Sequence, residues 1–217
     1  MKIGVLSLQG DFDAHASSIS RIGGKAIQVR KPSELSALDG IVLPGGESSA
    51  MLKLLEPELI AELQSVLLKG MPALATCAGV ILLARTVHNP DQASLGVLDI
   101  DVQRNGYGRQ VDSFIEPSLR ITDEGRAALQ NAQLMNGRAP EIEAVFIRAP
   151  IITRVGSDVD VLAQHDSQPV LLRQGSILAA TFHPELARTI SPVYMLFSHL
   201  VQADDGLIDV DGSLLLR

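Results

Sequence analysis

With a single cysteine, Cys77, in 217 residues, the chain cannot form an internal disulfide, and a disulfide-stapled secreted domain is excluded. No block rich in lysine and arginine occurs, and 18 basic against 25 acidic residues give a formal charge of −7. That balance argues against a nucleic-acid surface and describes a soluble acidic protein. No uninterrupted apolar run approaches the roughly 18 to 20 residues of a membrane helix, and Val80 to Ala84, among the longest, has the size of a core segment. The apolar start, Met1 to Leu8, is broken by Gln9-Gly10-Asp11, too early for a signal peptide. A cytoplasmic protein without a membrane segment is the expectation. The five histidines (His15, His88, His165, His183, His199) lack metal-ligand spacing with Cys77 or with carboxylates, so neither a metal nor an organic cofactor is expected.

What is present is an apolar fraction of 46%, ample for a buried core. Neither an internal repeat nor a low-complexity linker interrupts the chain, and its length fits one domain. In the first half, strand-like segments at Lys2 to Leu8, Lys25 to Val29, Gly40 to Leu43 and Ala73 to Thr76 alternate with helical ones. Those are Phe12 to Ile22, a short helix to Leu54 capped by Ser48 or Ser49, Pro57 to Leu68, and Gly79 to Val87. Continuous apolar strands alternating with helices predict a parallel sheet covered on both faces. The second half reads differently, with strands at Val97 to Arg104, Val111 to Ile115, Ala144 to Arg148, Val159 to Gln164, Val170 to Arg173 and Ile177 to Phe182. These predict antiparallel edges or a small flanking sheet. A helix near Asp123 to Asn131 interrupts them, and Ile190 to Val201 closes the fold.

Three clusters carry chemistry. Cys77 falls between strand Ala73 to Thr76 and a helical segment, with Ala75, Ala78 and Gly79 around it. A lone buried cysteine is usually a small core residue. On a sharp strand-to-helix turn, however, a thiol sits where open α/β sheets bind ligands, and the following N–H groups favour a thiolate and an oxyanion. In Phe182-His183-Pro184-Glu185, extended backbone would put His183 and Glu185 on one side, the carboxylate orienting the imidazole. Leu43-Pro44-Gly45-Gly46-Glu47-Ser48 places two glycines between a strand and a helix, exposing N–H groups. It lacks the spacing of a phosphate loop or a dinucleotide fingerprint. Together these supply a nucleophile, a base, an orienting acid and an oxyanion site.

At this level of detail the chain resembles the class I (triad) glutamine amidotransferases, and within them the glutaminase subunits of pyridoxal 5′-phosphate synthase. The resemblance lies in Gly4 to Gly10, Leu43 to Ser48, Thr76-Cys77-Ala78-Gly79, Arg104 to Phe114, Val145 to Pro150 and Phe182 to Glu185. It implies a single-domain α/β three-layer sandwich with a central, mostly parallel sheet, of the flavodoxin-like class. The glutaminase domain would be residues 1–203, followed by a C-terminal extension, 204–217. It implies that Cys77 attacks the side-chain amide of L-glutamine, that His183 moves protons and that Glu185 orients it. Gly46 and Ala78 would hold the oxyanion, and Gly46, Glu47, Ser48, Arg104, Ile147 and Arg148 would surround the substrate. An arginine suits the substrate carboxylate, but either Arg104 or Arg148 taken alone reads first as a structural ion pair. The resemblance also implies a hetero-oligomer with a synthase subunit that receives the ammonia.

The chain departs from the family pattern in places. Ala75 stands where relatives have Gly, Ala14 where they tend to carry Glu, the stretch from Ile115 to Ala144 is longer, and Asp204 to Arg217 has no family counterpart. Other readings are a glutaminase serving a different synthase, a cysteine hydrolase of the intracellular peptidase or deglycase type, and a silent regulatory subunit. The hydrolases draw their histidine from beside the cysteine, whereas here Ala78 follows Cys77.

Overall fold

A computed structural model describes residues 1–104 and 113–205. The first half alternates as expected: β1 (Lys2–Leu6), α1 (Phe12–Arg21), β2 (Lys25–Val29), β3 (Gly40–Leu43), α2 (Ser48–Leu54), α3 (Pro57–Leu68), β4 (Ala73–Thr76) and α4 (Ala78–Leu83). Strands then dominate: β5 (Ala84–His88), β6 (Leu98–Gln103), β7 (Phe114–Glu116), β8 (Arg120–Ile121), α5 (Asp123–Asn131), β9 (Ala144–Phe146), β10 (Ile151–Val155), β11 (Asp160–His165), β12 (Gln168–Gln174), β13 (Ile177–Ala180) and α6 (Pro192–Asp205).

Among the described residues the main sheet has the order β2-β1-β3-β4-β13-β12-β11-β8. Its first five strands are mutually parallel, and β12, β11 and β8 continue it antiparallel. The parallel part has the flavodoxin-like order. Strands β3, β4 and β13 are buried at every position, which is why they read as unbroken apolar runs. Successive side chains of a strand point to opposite faces, so each of these strands feeds two cores. Ile41, Leu43, Ala73, Ala75, Ile177 and Ala179 pack with Met51, Leu63 and Leu82 of α2, α3 and α4. Val42, Leu74, Leu178 and Ala180 pack with Ile19, Leu129 and Phe197 of α1, α5 and α6. Three layers result, as the sequence predicts.

The expected helix from Gly79 to Val87 is a correction: α4 ends at Leu83 and the chain continues as β5. The Leu82 carbonyl accepts the Leu95 N–H at 2.7 Å, and Ala84 turns to φ −55°, ψ 152°. The β-branched Thr86 and Val87 then pair in parallel with β6. A second correction concerns α2, which is capped by Glu47 rather than by a serine. Glu47 is extended, and its carboxylate accepts from the N–H groups of Ser49 and Ala50. Beside the main sheet lie the three-stranded β10-β6-β5 sheet and the antiparallel pair β7-β9, the flanking strands expected of the second half. Strand β8 and the Ile-Ile-Thr-Arg-Val strand β10 add to the sequence reading.

Helix α5 lies where expected, its Thr122 cap accepting the Gly125 N–H at 3.0 Å. Of the expected strand Val111 to Ile115, Val111 and Asp112 lie outside the described residues and the end falls in β7; the chain beyond residue 205 also lies outside them, while α6 runs past residue 203 to Asp205. None of the helices among the described residues is long and apolar enough to cross a membrane.

One close approach fixes how α4 meets the sheet. A Cβ on Gly79 would overlap the Leu43 carbonyl oxygen at the end of β3. Gly79→Ala is therefore expected to destabilise the fold by about 1–3 kcal/mol, read from a denaturant midpoint. An unchanged midpoint would show that α4 can move off β3.

Candidate active site

Because β1, β3, β4 and β13 run the same way, the turns after their carboxyl ends meet on one edge of the sheet. The turn after β4 carries Cys77 at φ 45°, ψ −104°, a conformation rarely populated by a residue with a side chain. Its N–H donates to the Ala180 carbonyl at 2.8 Å, carrying the pairing of β4 and β13 up to Cys77. Ala75, one of the departures from the family pattern, is buried and its methyl lies in the core beneath α2 and α4. The elbow accommodates it. The turn after β3 closes in from the other side. A Cβ on Gly45 would overlap the His183 ring and stand 3.3 Å from the Cβ of Cys77. The missing side chain at Gly45 lets cysteine and histidine face each other.

His183 is held by its N–H, which donates to the Val145 carbonyl of β9 at 2.9 Å. Its Nδ1 lies 2.7 Å from Oε1 of Glu185. A carboxylate can only accept, so Nδ1 carries the hydrogen and Nε2 is left for the thiol. The backbone between them is not extended, contrary to expectation. Pro184–Leu186 forms a 3-10 turn, begun by the fixed φ of Pro184, and this turn swings the carboxylate back beneath the ring. The pairing is the expected one; the backbone route to it is different.

Burial opposes charge on His183, yet hydrogen bonding to Cys77 and Glu185 outweighs it and pushes the imidazole up to about 10. Burial likewise favours the neutral acid at Glu185. The hydrogen bond from His183 and the charge of that ring, with His15 close by, reverse this and hold the carboxyl below its ordinary range. The arrangement favours an imidazolium held between Cys77 and a carboxylate.

In front of the cysteine is a cavity of about 370 Å³, inside the roughly 300–1,000 Å³ range of small-molecule sites. It brings together Gly46, Glu47, Ser48, Cys77, Ala78, Arg104, Ile147, Arg148 and His183, whereas Glu185 lies behind the histidine. Ala78 opens α4, so its N–H has no partner within the helix. Gly46, at φ 146°, is exposed at the mouth. The Ile147 carbonyl is 3.8 Å from Sγ of Cys77.

The two arginines differ. Arg104 pairs with Glu47 at 3.0 Å and donates to the Ser49 hydroxyl at 2.9 Å, so it is the structural ion pair. Arg148 is exposed, left-handed at φ 47°, and has no ion-pair partner among the described residues. The Ser48 hydroxyl is buried and donates to Gln92 at 3.0 Å.

Four residues near the site were not singled out from sequence. Gln9 lines the cavity and accepts the Glu47 N–H at 3.0 Å. It follows the end of β1, so the carboxyl-end rule that found Cys77 could have found it. Ile81 is one helical turn beyond Ala78 and supplies apolar wall. His15 and Tyr194 are buried behind Glu185, from helices far apart in sequence, and no motif marks them. Asn105 to Asp112, part of the family-like segment, lie outside the described residues. Among the described residues, groups of three potential metal ligands are absent.

The model of the SNO glutamine amidotransferase family matches residues 5–202. A protein of Koribacter versatilis named pyridoxal 5′-phosphate synthase subunit PdxT is 48% identical over 202 residues, covering 93% of this chain and 96% of its own. A protein of the same name from Solibacter usitatus is 47% identical over 186 residues, covering 85% and 92%. A crystal structure of a glutamine amidotransferase superposes with a TM-score of 0.78 at 40% identity, covering 92% of this chain and 98% of that one.

The raised basicity of His183 can be tested directly. The His183 ring is expected to stay protonated until the pH approaches about 10, followed by imidazole nitrogen NMR. Cys77→Ala and Glu185→Gln should each bring the transition down, by about one unit or more, because each removes a partner of the charged form. A transition as high in Glu185→Gln as in the wild type would show that the carboxylate does not hold the charge.

Proposed function

The chain belongs to the SNO glutamine amidotransferase family, and we propose that it is the glutaminase subunit of a pyridoxal 5′-phosphate synthase. It hydrolyses L-glutamine to L-glutamate and ammonia, and it passes the ammonia to a synthase subunit within a hetero-oligomer. The observation that carries this reading is the elbow cysteine facing a histidine that is hydrogen-bonded to a buried carboxylate, at the wall of a cavity of substrate size. The names of its relatives in Koribacter and Solibacter support the assignment to this synthase.

The mechanism assigns each side chain one task. The Cys77 thiolate attacks the side-chain carbonyl carbon of glutamine, and the carbonyl oxygen takes up negative charge. The N–H groups at Ala78 and Gly46 stabilise that charge as it develops. The tetrahedral intermediate collapses while Nε2 of His183 gives its proton to the nitrogen, which leaves as ammonia from a thioester. His183, now neutral, takes a proton from water as the water oxygen adds to the thioester carbon. Collapse of the second intermediate expels the thiolate and frees glutamate. Glu185 keeps Nδ1 protonated and offsets the imidazolium charge throughout.

Gly46, Glu47, Ser48, Ile147 and the arginines surround the substrate, with different tasks for the two cations. Arg148 meets the glutamine carboxylate, since its fork matches a carboxylate in two hydrogen bonds. Arg104 acts through Glu47, fixing the loop that carries Gly46. The glutaminase domain takes in residues 1–203 together with the end of α6 at Asp205, and the residues after it count as the extension. A working thiol needs a reducing compartment, which supports a cytoplasmic location.

Ammonia release from glutamine, with and without a pyridoxal 5′-phosphate synthase subunit, tests the reading. Wild type is expected to release ammonia and Cys77→Ala to lose about 1,000-fold or more of that activity while still forming the complex. Ammonia from purified Cys77→Ala would remove the nucleophile assignment. A complex that forms without releasing any ammonia would identify a silent subunit.

A further inference from the structure

The proposed reaction uses Glu185 but leaves unexplained what holds Glu185. Its carboxylate has side-chain exposure of 2%, and Oε2 has no hydrogen-bond partner. Apart from its own backbone N–H, the groups that meet it are two histidines, both at Oε1: His183 at 2.7 Å and His15 at 3.4 Å through Nε2. His15 is completely buried on α1 and does not line the cavity. Its other nitrogen, Nδ1, lies 2.6 Å from the Tyr194 hydroxyl of α6, itself hydrogen-bonded to Ser18. Two helices distant in the chain thus meet behind the carboxylate.

We infer that His15, steadied by Tyr194, is a positioning residue that holds Glu185 ionised and aimed at His183. The inference rests on the reading of Cys77, His183 and Glu185 as the catalytic triad. A carboxylate only accepts, so Nε2 of His15 carries the hydrogen and Nδ1 accepts from the phenol. This needs a neutral imidazole and a neutral phenol. Burial pulls His15 below its ordinary value, and burial together with the Glu185 charge pushes Tyr194 well above its own, so both conditions are met.

The alternative is a histidine present only as packing. An apolar residue of similar size would fill that space without leaving Nε2, a buried donor, aimed at a carboxylate. The 3.4 Å separation is long for a hydrogen bond, and catalytic hydrogen bonds commonly tighten when substrate binds. The row runs from Tyr194 through His15 and Glu185 to His183 and Cys77. One anion is shared between two imidazoles, of which only the one facing the thiol becomes a cation.

The consequence is a defined pH effect. The titratable groups facing Glu185 are His183 from its own turn, His15 from α1, with Asp11 at the start of that helix, and Tyr194 from α6. His15 Nε2 is itself buried without a hydrogen-bond partner and stands 3.4 Å from the carboxylate, so removing it takes away a donor aimed at Glu185, which then takes up a proton at higher pH. Once Glu185 is neutral, the imidazolium loses its counter-charge and the Cys77 thiolate loses the imidazolium.

The test is the pH dependence of Cys77 alkylation by iodoacetamide in the full-length chain, with kcat and KM for glutamine measured in the complex with the synthase subunit. His15→Leu is expected to move the acid limb of alkylation up by about one pH unit and to lower kcat about 10-fold with KM unchanged. His15→Gln, which keeps a donor near the place of Nε2, should stay within about twofold of the wild type. Tyr194→Phe, the smallest change, should shift the limb the same way by less, and it decides the matter should His15→Leu fail to fold. Wild-type profiles in both His15→Leu and Tyr194→Phe would overturn the inference, as would a rise in KM alone. Glu185→Gln, run alongside, separates the two levels. If it alters the profile while the His15 variants do not, only the role of His15 fails; if it too is silent, the triad reading fails.

Discussion

The close packing of three parallel strand ends is the constraint on which the site depends. Cys77 holds a left-handed backbone that costs on the order of 1–3 kcal/mol, and such a conformation persists only where its surroundings over-determine it. Here they do so from two directions. Its N–H is tied to Ala180 of β13, and α4 is pressed so close to β3 that Gly79 has no room for a side chain. Gly45 completes the arrangement by letting the His183 ring lie against the turn after β3. The small residues around Cys77 are thus a condition for bringing a thiol and an imidazole into contact across three strands. Larger side chains would fill the core as well and lose the chemistry.

The second half of the chain supplies what the parallel sheet cannot. Strand β9 accepts the His183 N–H, and the segment after it places the Ile147 carbonyl and Arg148 over the thiol. Arg104, at the end of β6, reaches back to Glu47, which is also the cap of α2. One carboxylate therefore starts a helix and anchors an arginine from a different sheet. That double engagement ties the loop after β3 to the smaller sheet, so the side of the cavity bearing Gly46 is positioned by long-range contacts.

Legibility in the sequence divides along the same line. Elements whose residues are buried on both faces, such as β3, β4 and β13, announced themselves as apolar runs, and α3 showed its start in Pro57. The turn from α4 to β5 did not, because Val80 to Ala84 is apolar whether helical or extended. What ended the helix was a tertiary hydrogen bond from Leu95 to the Leu82 carbonyl. In the site, the cysteine, the histidine and the glutamate could be read because each follows a strand or sits two residues from one that does. That Arg104 rather than Arg148 is the ion-paired arginine could not be read, since it depends on which of them Glu47 reaches. Gln9 was legible in principle from its place after β1. His15 and Tyr194 were not, being related only by the packing of α1 against α6.

Electrostatics gives the last constraint. A carboxylate as buried as Glu185 would ordinarily take up a proton, and its ionised state survives because two imidazoles face it while the surrounding protein excludes water. The same burial opposes charge on those imidazoles. His183 escapes that penalty because it is hydrogen-bonded to both Cys77 and Glu185, whereas His15 stands between one anion and a phenol. The difference in neighbours directs the positive charge to the ring that faces the thiol. An imidazolium at His15 instead would compete for Glu185 and repel charge from His183. Keeping one histidine neutral is therefore as much a part of the design as keeping the other charged, and burial, joined by the charge of His183, is what favours the neutral form of His15.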